Sequence, residues 1–229
     1  MGTCSCLGGA NNKAPNTLPE VIIQEHSSLS LYYKKYESEM VPEIKEIYSS
    51  LISHRLNYIK KLIIFDQELG ETGSEILAKV FPELKYLTNL QLKNNGIGYR
   101  GAMKLADTLG TVNTLEVLSI TENILTDEGV EYICCCLPFM ERLKDLSVAQ
   151  NEISYVGAEH IKEALINIEN LEVLDISGNF INRRGIVKIA SVLRGMGNFK
   201  TFDYKNNDMS EIDCEAVKKL LPHVFCSFI

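Results

Sequence analysis

From about residue 59 to residue 221, apolar and polar positions alternate in a pattern that repeats every 28 residues. Leu87, Leu90, Leu92, Asn95, Ile97, Gly101, Leu105 and Leu109 return one period later as Leu115, Leu118, Ile120, Asn123, Leu125, Gly129, Ile133 and Leu137. The next two periods give Leu143, Leu146, Val148, Asn151, Ile153, Gly157, Ile161 and Leu165, then Leu171, Leu174, Ile176, Asn179, Ile181, Gly185, Ile189 and Leu193. Looser copies flank these four. Ile59, Leu62, Ile64, Gln67, Leu69, Gly73, Leu77 and Phe81 come before them, and Phe199, Phe202, Tyr204, Asn207, Met209, Asp213, Val217 and Leu221 come after. A fixed period over six copies means stacked supersecondary units, each too small to bury its own apolar face.

Each column predicts an element. L-x-x-L-x-L is a turn followed by a short strand with alternate residues facing inward. Strands are therefore expected near 62–64, 90–92, 118–120, 146–148, 174–176 and 202–204, paired in parallel. Apolar residues at four-residue spacing after the glycine column read as one face of a helix of about three turns. The amide column of Gln67, Asn95, Asn123, Asn151, Asn179 and Asn207 sits where the chain leaves each strand. Stacked, these side chains form a ladder that bonds backbone groups left without a sheet partner.

This pattern, L-x-x-L-x-L-x-x-N-x-[IL]-x-x-x-G-x-x-x-[LI]-x-x-x-L, resembles the ribonuclease-inhibitor-type leucine-rich repeat and covers about 70% of the chain. The resemblance implies an α/β leucine-rich-repeat solenoid, a horseshoe with parallel strands on its concave face and helices on its convex face, used mainly to bind other proteins. The ribonuclease inhibitors alternate two unit lengths, whereas every step here is 28, so their binding residues do not carry over. Around the array the expected organisation is a flexible arm over 1–28, a helical cap over 29–58 with Val41, Ile44, Ile47, Tyr48 and Leu51 on one face, and a C-terminal cap over 222–229.

Composition narrows the function. With 23 Lys+Arg against 30 Asp+Glu, the net charge of −7 leaves no broad basic surface, so nucleic acid is not an expected partner. No apolar run reaches the roughly 20 residues of a membrane-spanning helix. Seven cysteines, three of them consecutive at Cys134, Cys135 and Cys136, fit reduced thiols in the cytoplasm better than a disulfide framework. In the triplet, Cys134 and Cys136 fall in small core columns and Cys135 in an exposed one. Gly96, Gly98 and Gly101 spell G-x-G-x-x-G, but a nucleotide site would need a doubly wound sheet that six short strands do not make. The four histidines are scattered without metal-ligand spacing. No enzyme, cofactor, metal or small-molecule substrate is indicated.

The expected function is a non-catalytic scaffold or adaptor. By resemblance, short arrays of this kind recur as subunits of cytoskeletal assemblies, including ciliary axonemes. The alternative is a GTPase-activating protein of the nuclear-transport GTPase activator type, whose array is longer and whose tail is strongly acidic. Strand positions facing away from the core form the candidate partner surface: Ile63, Phe65, Gln91, Lys93, Ser119, Thr121, Ser147, Ala149, Asp175, Ser177, Asp203 and Lys205. Ile63 and Phe65 are large for such a face, and either the arm near Val21 covers them or they anchor the partner. Outside the array, Gly2 fits N-myristoylation and Cys4 and Cys6 fit palmitoylation, which would anchor the chain to a membrane; the bland alternative is a start with incidental cysteines.

Overall fold

A computed structural model describes residues 20–23, 28–32 and 59–227. The expected helix around residues 41–51 and the acylation candidates Gly2, Cys4 and Cys6 lie outside them. Strands β1 (Glu20–Ile23), β2 (Ser28–Tyr32), β3 (Lys61–Phe65), β4 (Asn89–Lys93), β5 (Val117–Ser119), β6 (Asp145–Ser147), β7 (Val173–Asp175), β8 (Thr201–Asp203) and β9 (Phe225–Ser227) form one sheet in sequence order. From β2 to β9 neighbouring strands pair in parallel, and β1 joins β2 antiparallel. Helices α1 (Gly70–Val80), α2 (Gly98–Leu109), α3 (Thr126–Cys136), α4 (Tyr155–Leu165), α5 (Arg183–Leu193) and α6 (Glu211–Leu220) follow β3 to β8 in turn.

The six strands expected from the period are β3 to β8. The last four begin and end one residue earlier than expected, but pairing runs on past their ends, since the Ile120 N–H bonds Ser147 O and the Val148 N–H bonds Asp175 O, each at 2.9 Å. Three further strands lie outside the period. β1 falls inside the segment read as an arm, β2 begins at its boundary with the expected helical cap, and β9 lies in the C-terminal cap. β2 was hidden because Leu29 pairs with Leu62 and Leu31 with Ile64 at a step of 33 residues, off the 28-residue period. In β9, Phe225 is 70% exposed and does not cover the last unit as its apolar character suggested. Alternation along the strand gives the place beside Phe202 to Cys226 instead.

Between sheet and helices the repeat columns make one continuous core. Leu90, Leu118, Leu174 and Phe202 are fully buried from the strands, with Leu105, Ile133, Ile189 and Val217 from the helices. The amide column runs along its edge. Asn123 Oδ1 accepts from the Asn95 N–H at 2.9 Å, Asn151 Oδ1 from the Asn123 N–H at 2.8 Å, and Asn179 Oδ1 from the Asn151 N–H at 2.9 Å. At the ends of the ladder, Asn95 Oδ1 accepts from the Gln67 N–H at 2.9 Å and Asn207 Oδ1 from the Ile181 N–H at 3.0 Å. Each asparagine also donates to the backbone two to three residues behind it and one unit back, as Asn95 does to Lys93 O and Ile64 O.

The turns from strand to helix use left-handed backbone at a recurring position, with positive φ at Asp66, Asn94, Glu122, Gln150, Gly178 and Asn206. The first three units have two more left-handed residues each: Glu68 and Gly70, Gly96 and Gly98, Ile124 and Thr126. The G-x-G-x-x-G string is thereby explained without a nucleotide, because Gly96 and Gly98 both have φ of +59°, where a side chain is disfavoured. Helices α4, α5 and α6 instead begin at the side-chain caps Ser154, Asn182 and Ser210, which accept from the N–H groups of Val156, Gly185 and Asp213. Where Asp213 replaces the column glycine, its carboxylate completes a capping box with Ser210 and pairs with Arg183 at 3.2 Å.

Candidate functional site

Strands β3 to β9 project alternate side chains away from the helices, and the register places them in rows across the sheet. One row holds Ile63, Gln91, Ser119, Ser147, Asp175, Asp203 and Ser227. A second, two residues on, holds Phe65, Lys93, Thr121, Ala149, Ser177 and Lys205. A third, two residues back, holds Lys61, Asn89, Val117, Asp145, Val173, Thr201 and Phe225. The face is a trough with a hydroxyl-lined middle. Ser119 Oγ and Thr121 Oγ1 share a hydrogen bond of 3.0 Å, Thr121 Oγ1 and Ser147 Oγ another of 3.0 Å, and Ser147 Oγ donates to Asp175 Oδ2 at 3.2 Å. The other Asp175 oxygen accepts from the Ser177 N–H at 2.9 Å.

Charge is distributed unevenly along the trough. Toward β4, Lys93 pairs with Glu122 at 2.9 Å, and toward β8, Lys205 pairs with Asp203 at 3.1 Å. Between them Asp145 and Asp175 are half-buried on adjacent strands. Burial, and after it the Asp175 carboxylate, hold the Asp145 pKa above the ordinary aspartate value. A pKa raised in the folded state favours folding below the ordinary value of about 4, and that contribution is lost as pH rises through the raised one. Asp145→Asn is therefore expected to raise the urea midpoint at neutral pH, with the gain shrinking to nothing below about pH 4. Melts of both proteins across that range test it, and a gain independent of pH would contradict the assignment.

Several outward positions read from the sequence are not open surface. Ile63 is 7% exposed, Ala149 3% and Ser177 6%. Ala149 and Ser177 are too short to rise out of the rows that flank them and form the floor of the trough. Ile63 lies in β3 with β2 alongside it, so it is not available as an apolar anchor. Phe65, Gln91, Ser119, Thr121, Ser147, Asp175, Asp203 and Lys205 are half-buried and Lys93 is exposed. Asp145 was absent from the sequence-based set, although the same alternation carried two residues back from Ser147 reaches it.

The remaining chemistry stays apart from this face. Cys134 and Cys136 are buried in α3 and Cys135 is exposed. Burial drives the Cys134 thiol pKa well up and that of Cys136 to about 12, so neither is a nucleophile at neutral pH. His160 lies on α4, 3.9 Å from Glu131. Among the described residues no group of three or more His, Cys, Asp or Glu side chains is arranged to hold a metal ion, and no helix is long and apolar enough to cross a membrane.

Comparison with known proteins agrees with this architecture. The family described as "Leucine Rich repeat" matches residues 83–106, 113–134 and 167–190, in the second, third and fifth units. No curated protein sequence matches the chain. Among solved structures, the tropomodulin C-terminal domain from Caenorhabditis elegans is similar with a TM-score of 0.52 and 16% identity, over 66% of this chain and 90% of that one. Leiomodin-1 actin-binding site 2 gives a TM-score of 0.49 and 14% identity, over 57% of this chain and 79% of that one. At these identities the tropomodulin likeness is one of fold.

Proposed function

Starting from a chain that is a leucine-rich-repeat protein, we propose that it is a non-catalytic scaffold that holds a partner protein against the concave face of its sheet. The observation that carries this reading is the trough. A rigid parallel sheet presents short hydroxyl side chains in its middle and half-buried Asp145 and Asp175 beside them, leaving room for a partner's large side chains and negative charge for a Lys or Arg among them. Ser147 Oγ donates to the Asp175 carboxylate, a bond that orders this part of the surface.

The test is crosslinking mass spectrometry on the complex purified from native cells, alongside Ser147→Arg and Asp175→Lys in the trough and Lys104→Glu on the convex side. Loss of the partner with the trough variants alone is the expected outcome, by at least tenfold in recovered complex. Release by Lys104→Glu alone would move the contact to the helices. We place the partner in the cytoskeleton, axonemal assemblies included, on the resemblance to short arrays that serve there. Co-sedimentation with filamentous actin and with microtubules checks this, and a chain left in both supernatants would count against it.

The N-terminal Gly2, Cys4 and Cys6 support a second element of the proposal, attachment to membranes through acyl chains. Gly2→Ala is expected to abolish labelling by an alkyne myristate analogue and to shift the protein from the membrane to the supernatant fraction. An unlabelled wild-type protein would remove this element.

A further inference from the structure

Beyond the trough, the edge of the array where strands lead into helices carries an exposed apolar side chain in each of five consecutive units. These are Tyr99 at 40% exposure, Ile124 at 55%, Val156 at 54%, Phe180 at 65% and Ile212 at 80%. Ile124 stands out for a second reason. Its φ is +54°, left-handed backbone that a β-branched residue adopts only with strain, and the unit before it uses Gly96 at the same place. Packing does not require isoleucine there, since more than half of it faces solvent. Two separate penalties, strain and exposure, thus coincide on one apolar side chain.

We propose that this edge is a second protein-docking surface, and that its occupant is an amphipathic helix of a partner protein with large apolar residues seven positions apart and a Lys or Arg between them. Neighbouring units stack at roughly 4.8 Å where strands pair, so Ile124 and Phe180, two units apart, are separated along the array by about 10 Å. An α-helix advances about 10.5 Å in seven residues, which brings two apolar side chains on one face over Ile124 and Phe180 together. Glu152 occupies the equivalent turn in the unit between them, is exposed, and faces the midpoint of such a helix. A basic residue three or four positions after the first apolar one meets it, and this charge match selects the helix over a purely apolar strand. The proposal rests on the reading of the chain as a protein-binding scaffold but uses none of the trough residues.

The experiment selects binders to the full chain from a displayed library of helical peptides with randomised outer faces. Affinities of the selected peptides are then measured by fluorescence anisotropy. Selected sequences are expected to converge on large apolar residues at i and i+7 with Lys or Arg between, and to bind Ile124→Gly and Phe180→Ser at least tenfold more weakly than wild type. Ile124→Gly is expected to unfold at an equal or higher urea concentration because its strain is relieved, which separates lost binding from lost folding. Thr126→Gly, which relieves the neighbouring left-handed threonine and its buried, unpaired Oγ1, serves as a control that leaves binding unchanged. Peptides that bind both rim variants as tightly as wild type, or a library that yields no helical consensus, would overturn the proposal. Peptides released by Ser147→Arg alone would also overturn it while leaving the trough reading in place. Concentration-dependent dimerisation that Ile124→Gly abolishes would replace the partner helix with a second copy of the chain.

Discussion

Asn151→Ala is expected to destabilise the protein by about 3 to 4 kcal/mol, more than most single substitutions. The side chain serves four backbone groups. Its Oδ1 accepts from the N–H groups of Asn123 at 2.8 Å and Leu125 at 3.4 Å, and its Nδ2 donates to Ile120 O at 2.7 Å and Ala149 O at 2.9 Å. Asn151 has no exposed surface, so no water replaces the lost partners without opening the seam between units. An unsatisfied buried group costs about 1 to 3 kcal/mol, and partial relaxation keeps the total below the simple sum. Asn207 offers the comparison. It sits in the last unit, is half-buried, and makes similar bonds to Ile176 O and Tyr204 O, each at 3.0 Å. Water can reach its neighbours, and Asn207→Ala should cost about 1 kcal/mol. Urea melts of both variants measure this, and equal losses would mean that burial does not set the ladder's strength.

Gly157→Ala should cost about 2 to 3 kcal/mol through overpacking, with no hydrogen-bonding atom removed. A Cβ at Gly157 would stand 2.5 Å from Ile153 Cγ2, 2.6 Å from Asp127 Oδ1 and 2.9 Å from Val130 Cγ1. The isoleucine methyl can swing aside, but the carboxylate cannot. Asp127 Oδ1 accepts from the N–H groups of Ser154 at 2.7 Å and Gly157 at 2.8 Å, and its Oδ2 from Ser154 Oγ at 2.6 Å. Moving that group unfastens the start of α4 from α3, so the methyl disturbs the stacking of two units. Gly197→Ala, where a Cβ would meet nothing within 4 Å, should change stability by no more than about 0.5 kcal/mol. A Gly157→Ala protein that melts with wild type would show that the helices can separate at little cost.

The trough's charge depends on details that the repeat does not encode. Asp145 and Asp175 are neighbours because β6 and β7 pair in a register that sets Asp145 beside Val173 and Ser147 beside Asp175. The two acids then interact diagonally, and the shift at Asp145 records that geometry together with its burial. Asp145 has Val117 and Val173 at its place in the units before and after it, and the identities of the two acids alone do not reveal their coupling.

What the sequence determined by itself is whatever recurs every 28 residues. Comparison between columns located β3 to β8, the helices behind them, the amide ladder and the buried places of Cys134 and Cys136, because each copy repeats the same local contacts with the unit before it. Two of the hydrogen bonds at Asn123 join it to residues one period away, Asn95 and Asn151, as stacking of the amide column requires. The tertiary structure decided what has no second copy to compare. Strands β1, β2 and β9 follow spacings of their own, so no column announced them. Whether an outward side chain is exposed is likewise set by its neighbours across the sheet. Ala149 is buried while Ser147, two residues away on the same face, is partly open, because exposure depends on the height of flanking side chains that alternation along one strand does not contain. The left-handed turn at Ile124 recurs at Gly96 and Glu152, one unit before and one after, but an isoleucine does not announce it. Its sequence favours extended backbone, and the stacking of the third unit between its neighbours holds the φ of +54° that isoleucine would not adopt alone.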